Sequence, residues 1–301
     1  EVIEDNRLSI TVFDLSEVDK LKEAYEHASR DHANRVRGLV KQIRKVTPEK
    51  NVILIPVEWR EHCFTLSKQF PNFDEVVSFI RNQLSLSEVG NKMFKLPPLL
   101  LAGEPGIGKN EFMLSLSQLF NTRLEMLDMA SAQTGSALSG SESYWGNTQP
   151  GMLFKSIVFG DIANPFIMLD EIDKARRDDA YRPLSSLYQL LEPRQAKIFH
   201  DLSVPELTID ASHINWIATA NELELIEKPI LDRFTVFTIE QPTSEQMQVI
   251  VKNQYERFIE NHSSGCFFEK EVSETVIVEL CRYHPRQVRK LLEKAFGFAA
   301  Y

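Results

Sequence analysis

The chain has 301 residues, 43% hydrophobic and 26% charged, with 12 Gly and 14 Pro. That is the composition of a globular protein and excludes wholesale disorder. A net charge of −9 argues against nucleic acid as the main partner. Cys63, Cys266 and Cys281 are too few and too scattered for a disulfide framework or a zinc site, which points to thiols in a reducing cytoplasm. No run approaches the roughly 20 apolar residues a membrane-spanning helix needs, so no membrane partner is expected. The chain opens on Glu1 rather than Met, which leaves a signal peptide upstream open.

Three regions are expected, without internal repeats: residues 1–70, 71–242 and 243–301. In the first, Ser16-Glu17-Val18-Asp19 has the form of a capping box opening a long helix. Val18, Leu21, Tyr25, Ala28, His32, Val36, Leu39, Ile43 and Val46 recur at steps of three or four, a stripe suited to packing on another helix of the same chain rather than to a dimer zipper. Thr47-Pro48 ends the helix, and Val52–Val57 reads as a short strand.

In the second region, Leu99–Leu101, Phe166–Leu169 and Ile214–Ala218 are apolar runs with helical stretches between them. Apolar strands alternating with helices mean an α/β fold, a parallel sheet covered on both faces. In the third, Thr243-Ser244-Glu245-Gln246 starts a helix, and more helices follow Ser273 and Pro285. It reads as a small all-helical lid.

Gly103-Glu104-Pro105-Gly106-Ile107-Gly108-Lys109 fits G-x-x-x-x-G-K between a predicted strand and a predicted helix. Such glycines turn backbone N–H groups inward on phosphates, and the helix N-terminus adds its positive dipole end. Lys109 would reach the β and γ phosphates, and the candidate cradle for ATP or ADP runs on through Asn110 and Glu111. Alone, the pattern also suits a plain strand–helix turn. The strand Phe166–Leu169, however, ends in Asp170-Glu171, and adjacent carboxylates at a buried strand tip are costly without a task. Asp170 is expected to hold Mg²⁺, and Glu171 to act as general base on the attacking water. Ile214–Asn221 ends in Asn221, which could orient that water or simply form a turn.

In this order and spacing, GEPGIGKN, FIMLDEIDK, WIATAN and PILDRF resemble an AAA+ ATPase module, most similar to the ATPase part of the Lon proteases. The likeness covers roughly residues 71–300 and extends through DEIDKARRDDAYRP and LLEPRQAKIFHD. It implies a P-loop AAA+ fold and an ATPase in a ring, usually a hexamer, acting on a protein substrate. Arg233 would be an arginine finger serving a neighbouring subunit. Arg286 would be the lid arginine at the γ phosphate, with Arg289 as the alternative because His284 stands where the family usually has Gly. Tyr144-Trp145 in Gly140–Gly146 would be the pore loop gripping polypeptide, with Tyr181 a weaker second; the alternative is that the aromatics anchor in the core. Lon proteases carry a Ser–Lys protease domain after the lid. Only 15 residues follow Arg286, so a stand-alone ATPase, a piece of a longer protein, or one served by a separate protease or effector is expected.

Asn110 stands where the family places a Mg²⁺-binding hydroxyl. Its amide oxygen is an acceptable hard ligand on a longer arm, whereas its N–H₂ repels a cation. Slow ATP hydrolysis with retained ADP binding is the expectation. The leading reading is an ATP-driven, chaperone-like remodeller that threads polypeptide. The alternative is a nucleotide-gated scaffold or regulatory subunit. A nucleic-acid motor ranks third, kept by Lys174, Arg176, Arg177 and Arg182.

Overall fold

The computed structural model describes residues 8–24, 30–131, 135–143, 148–175 and 183–300. Nine strands occur among them. β1 (Ser9–Thr11) pairs antiparallel with β2 (Glu49–Asn51). β3 (Leu99–Ala102), β4 (Leu124–Asp128) and β5 (Phe166–Asp170) belong to the main sheet. β6 (Phe199–Asp201) and β7 (Val204–Ile209) make an antiparallel hairpin. β8 (Asn215–Ala220) and β9 (Thr235–Thr238) complete the main sheet, whose order is β4-β5-β8-β3-β9, parallel throughout.

The sheet is parallel because its central strands have no polar face to leave in water; β3 and β8 are buried at every residue. Side chains alternate between two cores, following the two-residue strand period. Leu100, Ile167, Leu169, Trp216 and Ala218 face Phe154, Ile157 and Leu190, together with Val18, Leu21, Val36, Val40 and Ile43 from the N-terminal helices. Leu99, Leu101, Phe166, Met168 and Ile217 face Phe73, Ile80, Leu84, Phe112 and Leu116. Trp59, Cys63 and Leu66 join this second core, so residues before position 70 pack on both faces of the sheet.

Two N-terminal expectations are corrected. Of the stripe from Val18 to Val46, the part from Val18 to Ile43 falls on two helices, Leu15–Ala24 and Arg30–Ile43, packed together, with residues 25–29 outside the described set and Val46 past the second helix. The first begins one residue before Ser16, because the Asp14 carboxylate accepts the Ser16 N–H at 2.8 Å and takes the capping role. The strand expected at Val52–Val57 is instead the β2 triplet followed by irregular chain. There Ile53 N–H donates to the Asn164 side chain and Ile55 N–H to the Lys92 carbonyl, while Pro56 has no donor to continue a ladder.

At the other end, Thr243 caps the helix Ser244–Asn261 in a reciprocal capping box with Gln246. Helices Glu274–Leu280 and Pro285–Ala300 follow. They enclose an apolar cluster of Met247, Ile250, Val251, Ile277, Leu280, Val288, Leu292 and Phe296, in which the Phe258 and Phe296 rings stack at 4.0 Å. Among the described residues, no helix is long and apolar enough to cross a membrane.

Candidate nucleotide site

Between β3 and the helix Lys109–Leu119, three glycines take left-handed backbone: Gly103 (φ 153°), Gly106 (φ 87°) and Gly108 (φ 109°). A Cβ on Gly103 would lie 2.4 Å from the Ile239 carbonyl oxygen, so only glycine fits where the loop crosses β9's end. The loop opens onto a cleft of about 750 Å³, lined by Pro105–Glu111, the tips of β5 and β8, and the helices after 243. Gly103 and Glu104 do not line it. Their carbonyls accept Lys109 Nζ, and the Glu104 carboxylate accepts the Gln241 side chain.

Lys109 is 8% exposed, and its Nζ also donates to Asn221 Oδ1 at 3.0 Å. Burial pulls its pKa down, opposed by Asp173, Asp170 and Glu171. Asp170 accepts on both oxygens: Thr219 Oγ1 donates to Oδ1 at 2.5 Å and Asn110 Nδ2 to Oδ2 at 2.7 Å. Thr219, 1% exposed, also accepts the Glu171 N–H at 3.0 Å. That bond holds Glu171 in left-handed backbone (φ 53°), rare for a side-chain-bearing residue and a feature of strained functional positions. The Glu171 carboxylate is held by Lys174 at 2.7 Å and by Asn221 Nδ2 at 3.4 Å.

Thus Lys109, Asn110, Asp170, Glu171 and Asn221 converge. Arg286 joins them from the helix Pro285–Ala300: its N–H donates to the Gly106 carbonyl at 3.4 Å, and its side chain covers that glycine's bare face. Arg289 also lines the cleft but pairs with Glu293 at 3.2 Å. The Glu111 carboxylate is held by Arg257 at 2.9 Å, and Arg257 also reaches Gln69 and Ser115 at 3.1 Å each. Arg233 does not line the cleft. Its Nη1 donates to the Pro229 carbonyl and its guanidinium lies 5.7 Å from the Tyr188 ring centre. Tyr144, Trp145, Tyr181, Arg176, Arg177 and Arg182 fall outside the described residues.

Sequence reasoning missed Thr219 and Arg257. Thr219 precedes the chosen Asn221 by two residues, and only the pairing of β8 with β5 brings it to Asp170. Arg257 is one charge among many on an amphipathic helix.

Among the described residues no three His, Cys, Asp or Glu side chains gather as a metal cluster. The two carboxylates at the cleft floor do suit Mg²⁺, which proteins hold with one or two carboxylates plus phosphate oxygens. Asn110 presents its amide nitrogen, not its oxygen, to Asp170.

Residues 99–241 match the family described as ATPase family associated with various cellular activities (AAA). Over these residues the chain carries an AAA-type module similar to part of the Lon proteases. The chain is 26% identical to Lon protease 1 of Hydrogenovibrio crunogenus across 94% of its own length and 37% of that protein's. It is 30% identical to the Lon protease of Clostridium beijerinckii across 67% of its length and 26% of the relative's. For the Lon protease of Nitrosococcus oceani the identity is 32%, across 54% and 21%. The chain thus spans well under half of each. In the AAA-family module the glycine loop and the tips of β5 and β8 form an anion cradle with two carboxylates opposite it, an arrangement able to hold a polyphosphate and poise water beside it.

Proposed function

We propose that the chain binds ATP and ADP at this cleft, hydrolyses ATP slowly, and works as a ring, usually a hexamer in this family, that remodels or threads polypeptide. The convergence of Lys109, Asp170, Glu171 and Asn221 on one glycine-loop cleft carries the reading. Backbone N–H groups of Gly106–Lys109 cradle the phosphates, and Lys109 exchanges its internal acceptors for phosphate oxygens. Mg²⁺, when bound with the nucleotide, supplies charge neutralisation on those oxygens. Glu171 takes the proton of the attacking water, and Asn221 orients both. Arg286 reports nucleotide occupancy to the lid. Arg233 stands away from its own cleft, which suits a group that acts on a neighbouring subunit. Tyr144 and Trp145 contact the polypeptide.

A second reading, a nucleotide-gated switch or scaffold with little turnover, is favoured by the Asn110–Asp170 hydrogen bond. The amide must release the carboxylate before Asp170 can serve a cation, which disfavours Mg²⁺–ATP more than ADP. Steady-state ATPase with and without an unfolded polypeptide, alongside the oligomeric state in ADP and in a non-hydrolysable ATP analogue, tests the first reading. No turnover in either condition leaves only the switch. Under either reading Asn110→Thr raises turnover and sharpens its Mg²⁺ dependence; equal rates would remove Asn110 from the account.

A further inference from the structure

A fully buried carboxylate outside the nucleotide cleft, Asp201, bonds to the residues that flank Tyr144 and Trp145 in the chain. Residues 139–143 and 148–151 form a neck between β4 and the helix Met152–Val158. The neck is zipped shut: Ser141 N–H donates to the Gln149 carbonyl at 3.2 Å, Gln149 N–H to Ser141 Oγ at 2.9 Å, and Thr148 Oγ1 to the Glu142 carbonyl at 2.5 Å.

Asp201, at the end of β6, lies under this neck with no solvent exposure. Its carboxylate accepts the Gly151 N–H at 2.9 Å, the Ser203 N–H at 2.9 Å and the Ser203 hydroxyl at 2.5 Å. The next residue, Leu202, donates its N–H to the Ser139 carbonyl at 2.9 Å. Both strands of the neck are thereby tied to the tip of the β6–β7 hairpin. The fit is close. Gly140 takes φ 83°, and a Cβ there would lie 2.0 Å from Asp201 Oδ1. A Cβ on Gly151 would lie 2.3 Å from the Gly140 nitrogen. Two glycines let the backbone close over one carboxylate.

The hairpin is held from behind as well. Glu17 of the first helix accepts the Thr208 N–H at 2.7 Å and its hydroxyl at 3.2 Å, and Asp210 N–H donates to the Val12 carbonyl at 2.7 Å. From there the chain enters β8, which ends in Thr219 and Asn221 at the nucleotide cleft.

We propose that Asp201 is a positioning residue: it locks the neck, residues 139–143 and 148–151, to the β6–β7 hairpin, so that neck and hairpin move as one body joined in sequence to the β8 tip. The proposal rests on the reading that Tyr144 and Trp145 meet polypeptide. An acceptor-only group is required, because each donor it faces is an N–H or O–H in a site closed to water. Asparagine in its place would set an N–H₂ against one of those donors.

The test uses the full chain carrying Asp201→Asn, Gly140→Ala or the milder Ser203→Ala. Three quantities are measured: basal ATPase, its stimulation by a reduced, carboxymethylated protein, and chymotryptic cleavage after Tyr144 and Trp145 mapped by mass spectrometry. Expected are unchanged basal turnover, cleavage faster by about tenfold, as for loss of a bond to a charged acceptor, and loss of most of the stimulation. Parental cleavage and stimulation in all three variants would overturn the proposal. So would basal turnover falling in step with stimulation, since that marks general damage. If the parent chain is not stimulated by unfolded polypeptide, the threading reading fails on its own, while the cleavage rates still decide whether Asp201 holds the neck. Ser203→Ala keeps the test open should Asp201→Asn not fold.

Discussion

The two ends of the central sheet are both rich in buried polar groups, yet they are built differently. At the N-terminal end, Asn164 and Asn215 have no solvent exposure. Asn164 accepts the Ile53 N–H at 2.7 Å and donates to the Ile53 and Phe94 carbonyls at 3.0 and 2.8 Å. Asn215 accepts the Leu96 N–H at 2.8 Å and donates to the Asn164 carbonyl at 3.0 Å. Lys95 donates to the Ser212 and Ile214 carbonyls at 3.1 and 2.6 Å. These groups close on backbone. At the C-terminal end, Asn221 links Lys109 to Glu171, and Asn110 and Thr219 donate to Asp170, a set of side-chain bonds bordering open volume; Lys109 alone also spends bonds on backbone, at the Gly103 and Glu104 carbonyls. Polar groups spent on backbone hold a fold. Polar groups parked on one another beside a cleft can be redirected to a ligand at small cost, because each gives up one partner as it gains another.

That contrast breaks most visibly at Glu171. Under the proposed hydrolytic reading, Glu171→Gln lowers ATP turnover by about 10²- to 10⁴-fold. Nucleotide affinity and melting temperature stay near parental, since the amide keeps the volume and can still accept from Asn221. Turnover that survives the change removes Glu171 as the base. Lys109→Met comes next, with nucleotide affinity weakened by about 10- to 100-fold in a titration, as for loss of a charge-assisted bond. Its stability should change little, because removing the ammonium also removes the burial cost that pulls its pKa down, which offsets the bonds lost. A Lys109→Met chain that binds nucleotide normally but melts early would place this lysine with the structural end of the sheet.

The reverse outcome is expected at Asn164. Asn164→Ala removes three hydrogen bonds to the Ile53 and Phe94 backbone, leaves the Ile53 N–H without its acceptor, and should cost about 1–3 kcal/mol in denaturant unfolding. Nucleotide affinity, measured where the variant is folded, should not change. A loss of affinity without a loss of stability would show that the two ends are not separable.

How much was legible in the sequence follows the same division. Leu99–Leu101, Phe166–Leu169 and Ile214–Ala218 were readable as strands because their burial on both faces leaves an unbroken apolar run. The glycine loop was readable because three left-handed positions within six residues leave little choice but glycine. The Thr243 capping box is chemistry local to four residues. What escaped depends on register. Thr219 matters only because β8 pairs with β5, placing it beside Asp170. Asp201 lies in FHDLS, where nothing local predicts that Gly140 and Gly151 will close over it. The cap of the first helix lies at Asp14, two residues before the expected Ser16, because SEVD has the form of a capping box and the pattern cannot say which of two nearby acceptors caps.

The smallest effect concerns Lys95, and its sign is fixed by linkage. Burial pulls its pKa down from 10.5 to about 8, and Asp210 opposes that pull. His213 shares the neighbourhood; burial first, then the Lys95 and Lys197 charges, hold its pKa below the usual value, against the pull of Asp210. Because the folded value lies below the unfolded one, the unfolded chain binds more protons between the two. Stability therefore rises with pH across that window. Below about pH 8 the ammonium is charged in both states, and the desolvation cost is carried in full. Lys95→Met removes this slope but leaves the Ser212 and Ile214 carbonyls without their donor. The two changes oppose each other near pH 7, so the net shift should stay within about 1 kcal/mol. The informative quantity is the difference between parent and variant: unfolding free energies of the parent should gain on those of Lys95→Met as pH climbs from about 8 toward 10. Parallel curves would mean that Lys95 remains charged in the folded chain, and that the closed end of the sheet is wetter than its hydrogen bonds imply.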